Sequence, residues 1–577
     1  MPGSSLFTEP GPRVFAMPPG ADFPALLVQG LCERMRGAPP EAMARVTLYL
    51  NTERMRRRVV ALFQARGAML LPRLRLVTDL GRELALPGLP PAPPALRRKL
   101  ELARLIEALI DRDPTVAPKT ALFDLADSLA TLLDEMRGEG VQPEVIAGLD
   151  ISDHSAHWAR TKAFMSIVAP LFATGAPPDA EGRQRLAVER QMRDWHAAPP
   201  ADPVIVAGST GSRGTTLGLM LAVAGLPQGA LVLPGFDFWM SARDFADLDD
   251  PLTGEDHPQF RFHRVLSALD LGHDAVRNWG GDGAPAPLRN RLISLALRPA
   301  PVTDRWIAEG PGLGDLGMAT EGMALIEAPS PRAEAQAIAL ILREVAEGEG
   351  VAALITPDRT LARQVTVALD RWGLRPDDSA GRPLALSAPG RLLRQVVGLF
   401  TGTLGADGLV ALLKHPLVAA GEGRGAHLLQ ARELELHLRR RGPAYPSGAD
   451  VADWAKERAP AWGAWVRRLL ADLPGPAGEA PLAEHVARHW ALAQGLASGP
   501  DGLGTALWQG EAGEKALKVM QSLSDEAPHA GPMTAFDYAS LLDSLLNAED
   551  VRETVESHPR LMIWGTLEAR VQGADLL

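Results

Sequence analysis

The sequence predicts an α/β protein made of two parallel-sheet units, each carrying a mainly helical insertion. Three observations predict it. Short apolar runs alternate with helical periodicity over 13–81 and again over 201–310, the signature of strands joined by crossover helices. Strand signals vanish between 93 and 200, where apolar residues recur at three and four positions. The succession then repeats: alternation over 311–400, helical periodicity over 401–555, and an apolar run after 556. A chain of 577 residues exceeds what one core supports, so several units are expected from length alone.

The first unit opens with "RVFAMP" (13–18) as a strand, the turn "PPGADF" and a helix over "PALLVQGLCERMR". "ARVTLYL" (44–50) and "TERMRRRVVALFQARG" repeat strand and helix, and "RLRLVTDLG" is a third strand-like piece. In the insertion, "LFDLADSLATLLDEM" is the clearest amphipathic helix. The unit resumes at "DPVIVAGST", with a helix over "TTLGLMLAVAGL" and a strand in "GALVLPGFD". Gly/Pro-rich passages near 278–288 and 308–314 mark a hinge.

A strand in "MALIEAPSP" and a helix after it begin the second unit; "VAALITPD" and "RTLARQVTVALDRWGL" repeat that order. Its insertion, 401–555, is helical and Trp-containing, and "PRLMIWGTLEARVQGADLL" returns to a strand. The closing "ADLL" reads as the start of another strand, so the sequence is expected to be cut short. The boundaries are thus 1–92 and 201–310 for the first unit, 93–200 for its insertion, 311–400 with 556–577 for the second, and 401–555 for its insertion.

Composition narrows the function classes. A net charge of −11 opposes a uniformly basic coat for nucleic acid but allows a local basic groove. The single cysteine, Cys32, cannot form an intramolecular disulfide, a four-cysteine zinc site or a cysteine-ligated iron–sulfur cluster. No run of about 18 apolar residues occurs, and the opening residues lack an apolar signal-like core. A reduced, cytoplasmic protein is expected.

The stretch "VIVAGSTGSRGTT" (204–216) has the outline of strand, glycine-rich turn and helix that cradles phosphate. A phosphate loop of the G-x-x-x-x-G-K-[ST] type also needs a lysine after the last glycine. Here Arg213 precedes Gly214 and no lysine follows. The dinucleotide fingerprint fails as well, because Thr210 stands where its second glycine belongs. Asp237, at the end of "LVLPGFD", resembles a Mg²⁺-holding carboxylate, but without a lysine loop beside it a helix or turn cap is the favoured reading. His485 and His489 in "EHVARHW" share a helix face without the glutamate or third ligand of a zinc site. His415 in "LLKHPL" fits a helix end. Three basic clusters stand out: Arg54, Arg56, Arg57 and Arg58; Arg97, Arg98 and Lys99; Arg439, Arg440 and Arg441. Each suits either phosphate-backbone contact or a solvated helix terminus.

The order of these pieces resembles the 1A–1B–2A–2B layout of superfamily 1 DNA helicases, with two RecA-like domains each carrying an insertion. Several segments are similar to the AddB family, the double-strand break repair subunits of AddAB helicase–nucleases, in its alphaproteobacterial form. They are "VFAMPPGADFPALLVQGL", "PVIVAGSTGSRGTT", "GALVLPGFD", "RPDDSAGRPLALSAPGRLLRQVVGLF", "LLKHPL" and "IWGTLEARVQGADLL". The resemblance implies that the nucleotide loop of a motor corresponds to Pro18, Pro19 and Gly20, without lysine or hydroxyl. It implies that Gly208 and Ser209 stand at the Walker B position, where a motor has its acid pair for Mg²⁺. Phosphoryl transfer depends almost wholly on such positioning and charge neutralisation.

The resemblance therefore implies no catalytic or metal-binding residue and no cofactor in this portion. ATP and Mg²⁺ are used by the complex, and the family's PD-(D/E)xK nuclease domain lies outside these residues. Implied partners are the AddA helicase–nuclease subunit, DNA ends and single-stranded DNA, with no membrane. Strand contact is expected at Thr356 and Arg359 in "LITPDRT" and at Thr566 and Arg570 in "GTLEAR", hydroxyls and cations at strand ends. The alternatives are an active nucleotide enzyme using the Gly208–Gly214 loop as a P-loop-like ATPase, a small-molecule α/β transferase, and a pure interaction scaffold.

Overall fold

In the first strands both alternating faces are apolar, and that pattern requires a sheet covered on two sides. The structure, a computed structural model, describes residues 6–577 except 84–90, 143, 146–177, 281–283, 472, 474–477, 503–504 and 553–556. Strands β1 (Val14–Ala16), β2 (Thr47–Leu50), β3 (Arg73–Leu76), β4 (Val204–Ala207), β5 (Gly229–Leu233) and β6 (Arg277–Asn278) form one parallel sheet. Their order is β3-β2-β4-β5-β1-β6. Phe15, Leu48, Leu50, Ile205 and Val232 pack on one face with the helices Phe23–Arg34 and Glu53–Gln64. Val14, Tyr49, Val206, Leu231 and Leu233 pack on the other with Gly214–Ala224 and Phe260–Ala268.

The two helical layers follow from crossover handedness. The chain runs from β1 outward to β3, then from β4 back past β1 to β6. A right-handed crossover that reverses direction must change face. Strands β1 and β2 are separated by two others, unlike the dinucleotide-binding order, in which the first two strands are neighbours.

The remaining strands are β7 (Ala352–Ile355), β8 (Asp377–Asp378), β9 (Arg382–Pro383), β10 (Glu479–Pro481), β11 (Pro532–Thr534), β12 (Asp550–Val551) and β13 (Leu561–Trp564). A second parallel sheet has the order β7-β13-β8, with Leu576 bridging Ala352 in parallel on the outer side of β7. Helices Pro331–Glu347 and Arg359–Asp370 cover one face of it. The expected strand in "MALIEAPSP" does not form: residues 323–328 have no regular secondary structure, lie outside both sheets and are exposed over 323–327. The seat beside β7 is already taken by Asp575–Leu577. Of the expected hinge passages, 308–314 folds into short helical turns within Arg305–Leu313, and 281–283 lie outside the described residues.

The two insertions, far apart in sequence, share one apolar core. Leu100, Ile106 and Leu133 pack with Leu393, Val396, Trp462, Leu496 and Leu541 in a single cluster. The cluster "LRRKL" lies on this seam and in the insertion, committed to protein partners. Arg97 pairs with Glu526 at 2.7 Å; Lys99, 6% exposed, reaches Asp127 and Ser544, each at 2.6 Å; Arg98 binds Asp179 at 2.9 Å. Side chains paired in this way, Arg97 and Arg98 with the buried Glu526 and Asp179 and Lys99 itself buried, are not free to follow a phosphate backbone. Among the described residues, no helix is long and apolar enough to cross a membrane.

Candidate functional site

In an open parallel sheet, ligands bind in the crevice beyond the carboxyl ends of the strands, where the crossover direction switches. That crevice lies at the ends of β1, β5, β4 and β2, and the loops there decide what fits. After β1 the chain turns through Pro18, Pro19 and Gly20 into the helix Phe23–Arg34. Gly20 has φ +79°, the Pro18 carbonyl accepts from the Ala21 amide at 3.4 Å, and the Pro19 carbonyl accepts from Asn290 Nδ2 at 2.9 Å.

The amides at this helix start are where a motor would hold phosphate. Here Asp22 caps the helix, its Oδ1 accepting from the Ala25 amide at 3.2 Å, and Pro24 removes one donor. A fixed carboxylate at that point repels an incoming anion. Arg58 approaches Asp22 at 3.6 Å, partly balancing its charge.

The stretch after β4 is filled in another way. Gly208 has φ +79°, and its amide donates to the Val232 carbonyl at 3.0 Å. A Cβ on it would lie 2.9 Å from Met55 Sδ and 3.4 Å from Phe23 Cε1. An aspartate in this seat would collide with the helices covering the sheet. Ser209 is buried, its Oγ accepting from the Gly211 amide at 3.3 Å.

The helix start that follows is occupied by the first insertion. The Gly214 amide donates to Glu139 Oε1 at 2.7 Å, Thr215 Oγ1 donates to the Gly138 carbonyl at 3.1 Å, and Arg213 pairs with Glu181 at 3.1 Å. A Cβ on Gly214 would lie 3.0 Å from both the Gly138 carbonyl and Glu139 Oε2. The glycine-rich stretch is thus the joint on which the helical insertion is seated, and a glutamate holds the amide that a phosphate loop would offer. That arrangement speaks against the P-loop-like alternative.

The carboxyl ends of the second sheet face this crevice. Arg54, at the start of the helix after β2, pairs with Asp377 of β8 at 2.9 Å. Val571, 1% exposed, is buried in the same cluster as Phe23 and Leu27, and a Cβ on Gly573 would lie 3.5 Å from Asp22 Cα. The segment after β13 therefore lies over the turn Pro18–Gly20.

Neither a protein-family model nor a curated protein matches this chain.

Strand pairing sets Thr356 and Thr566 side by side, just past the ends of β7 and β13. The Thr356 amide, just past β7, donates to the Trp564 carbonyl at 3.1 Å, which sets it beside Thr566. Thr356 Oγ1 accepts from the Asp358 amide at 3.0 Å. Arg359 is exposed and lies 3.4 Å from Asp550. Thr566 and Arg570 are exposed, and the Arg570 amide donates to the Glu568 carbonyl. Between them Asp378 accepts from the Ala380 amide at 2.9 Å, and Ser379 Oγ accepts from the Gly565 amide at 3.2 Å. Burial holds the Asp378 carboxyl above the usual carboxylate range, against the pull of that amide, Arg359 and Arg54.

The other candidates are structural. Asp237 accepts from the amides of Trp239 and Met240 at 2.9 and 3.1 Å, a turn cap. His485 binds the Met533 carbonyl at 2.9 Å and His489 the Tyr538 hydroxyl at 2.7 Å, both in the helical core. Burial pushes His489 down to about 3, so it is neutral. His415 follows the helix Ala406–Leu413 and is pushed down by burial to about 4. Among the described residues no cluster of three His, Cys, Asp or Glu could hold a metal.

Sequence reasoning missed Asp22, Glu139 and Val571, and it named Arg54 without its partner Asp377. Asp22 carried a readable signal, a capping residue with proline two places on. The others act through contacts between residues far apart in the chain.

Proposed function

We propose that the chain is the helicase-like portion of an AddB-type, non-motor subunit of a cytoplasmic ATP-dependent helicase–nuclease that resects broken DNA duplexes for recombinational repair. Its two α/β units are read as degenerate RecA-like domains of superfamily 1 type. It pairs with the AddA motor subunit, which hydrolyses ATP, and guides a DNA strand along the edge holding Thr356, Arg359, Thr566 and Arg570.

The observation that carries the reading is the meeting of the two parallel sheets by their carboxyl ends, across Arg54 and Asp377. Two RecA-like domains enclose a nucleotide in that relation, and the seat is filled here by Asp22, Gly208 and Val571. A fold that keeps the layout while closing the seat fits a scaffold better than an ATPase.

Anisotropy of labelled forked DNA, with and without AddA, tests the reading across a salt series. Binding should weaken steeply with salt. Alanine at both Arg359 and Arg570 should weaken it further and flatten the salt slope; unchanged binding removes the strand-guiding role. Calorimetry with ATP·Mg²⁺ should give no binding signal. Micromolar binding abolished by Gly211→Val would establish a nucleotide enzyme instead.

A further inference from the structure

In the helix Ala180–Ala197, Val188, Met192 and Trp195 recur at i, i+4 and i+7 and form one apolar face. Val188 is 3% exposed, yet Met192 and Trp195 are only half-buried. A groove of about 530 Å³ opens there, between the last turns of this helix and of Gly214–Ala224. Leu221, Leu226 and Pro227 form its other wall, and Gly225 adds no side chain. Gly225 has φ −78° and ψ −10°, within the right-handed region open to any residue. The gap at Gly225 is therefore a matter of space and not of backbone strain.

This groove stands apart from the crevice. The two helices lead into β4 and β5, and the Val204 amide donates to the Gln228 carbonyl at 3.0 Å where those strands begin. The groove thus lies at the amino ends of the strands, and the crevice at their carboxyl ends. One wall belongs to the first insertion and the other to the first unit, so an occupant bridges the two.

The rim is cationic. Arg193 and His196 line the groove, and no carboxylate does. Arg190, one turn earlier, and Arg193 are exposed, and neither has an ion pair among the described residues. Arg193 uses only its Nε, which donates to the Glu189 carbonyl at 3.4 Å. In a chain of net charge −11, two unpaired arginines beside an apolar cleft select an acidic ligand. Walls of tryptophan, methionine and leucine suit an aromatic or long aliphatic side chain.

We infer that this groove docks a segment of a partner protein in which an aromatic or aliphatic side chain is followed by carboxylates. The side chain fills the gap over Gly225, and the carboxylates pair with Arg193 and Arg190. The groove stands whether or not the chain guides DNA, because its walls and rim charge alone define it.

Fluorescence anisotropy of labelled peptides on the intact chain tests this docking. One probe carries leucine and phenylalanine followed by three aspartates, and its counterpart carries three lysines instead. The acidic probe should bind with a Kd below about 100 μM, at least about ten-fold more tightly than the basic one. Gly225→Leu, which fills the gap on unstrained backbone, should weaken the acidic probe at least about ten-fold. Arg190→Glu together with Arg193→Glu should invert the preference between the probes. Melting midpoints matching the parent's report that the variants are folded. Absent binding, equal affinity for the two probes, or an acidic probe unaffected by these variants overturns the proposal. Displacement of the probe by oligothymidine overturns it as well, because nucleic acid is then the occupant.

Discussion

Replacing Gly208 by alanine should lower the first unfolding transition by roughly 4–16 °C, and the size follows from local geometry. Gly208 has φ +79°, a conformation costing an L-residue about 1–2 kcal/mol. The new Cβ would lie 2.9 Å from Met55 Sδ, and Met55 is fully buried. Overpacking of that kind costs about 1–3 kcal/mol, the lower part applying because a methionine can shift. The total is about 2–4 kcal/mol, and each kcal/mol moves the midpoint of a unit of 150–250 residues by about 2–4 °C. Calorimetric or circular-dichroism melting measures it. Gly218→Ala is the control: its Cβ meets only Met192 Sδ, at 3.7 Å, and alanine in a helix interior gains about 0.5–1 kcal/mol. A Gly208→Ala midpoint within about 1 °C of the parent would refute the packing argument, as would an equal fall for Gly218→Ala. The expected result means that a single substitution cannot place an acid at this position.

Three further outcomes are expected. Glu139→Ala should destabilise the seating of the first insertion by about 1 kcal/mol, the usual worth of a helix cap, seen as faster proteolysis between the insertion and β4. Val571→Asp should loosen the contact between the units and speed hydrogen exchange in Phe23–Arg34, since a buried carboxylate has no partner in that cluster; unchanged exchange would show that Val571 does not hold the units together. His489 is neutral in the fold with its pKa lowered to about 3, while the unfolded chain binds that proton near 6.5. Its contribution is therefore complete above pH 6.5 and is lost as pH falls from 6.5 toward 3, by about 1.4 kcal/mol per pH unit. Urea midpoints at pH 7 and 5 should differ less in His489→Gln than in the parent.

The α/β class, the strands β1 to β5, β7 and β13 and the main helices were legible in the sequence. Period and capping act between neighbouring residues, and the sequence displays neighbours directly. The absence of a phosphate lysine after Gly214 was legible for the same reason. What fills the seats was not. Glu139 reaches Gly214 across 75 positions, Arg54 reaches Asp377 across 323, and Val571 enters a core built from residues near the other end of the chain. Residues 323–328 have a strand's sequence and lack a partner, because pairing depends on which edge stands free. The sequence by itself determined the order of strands, helices and turns outside 323–328. Only the tertiary structure decided that the glycines of 208–214 admit Met55, Phe23 and the insertion's Glu139, because close approach is a property of two surfaces and a sequence writes down one at a time.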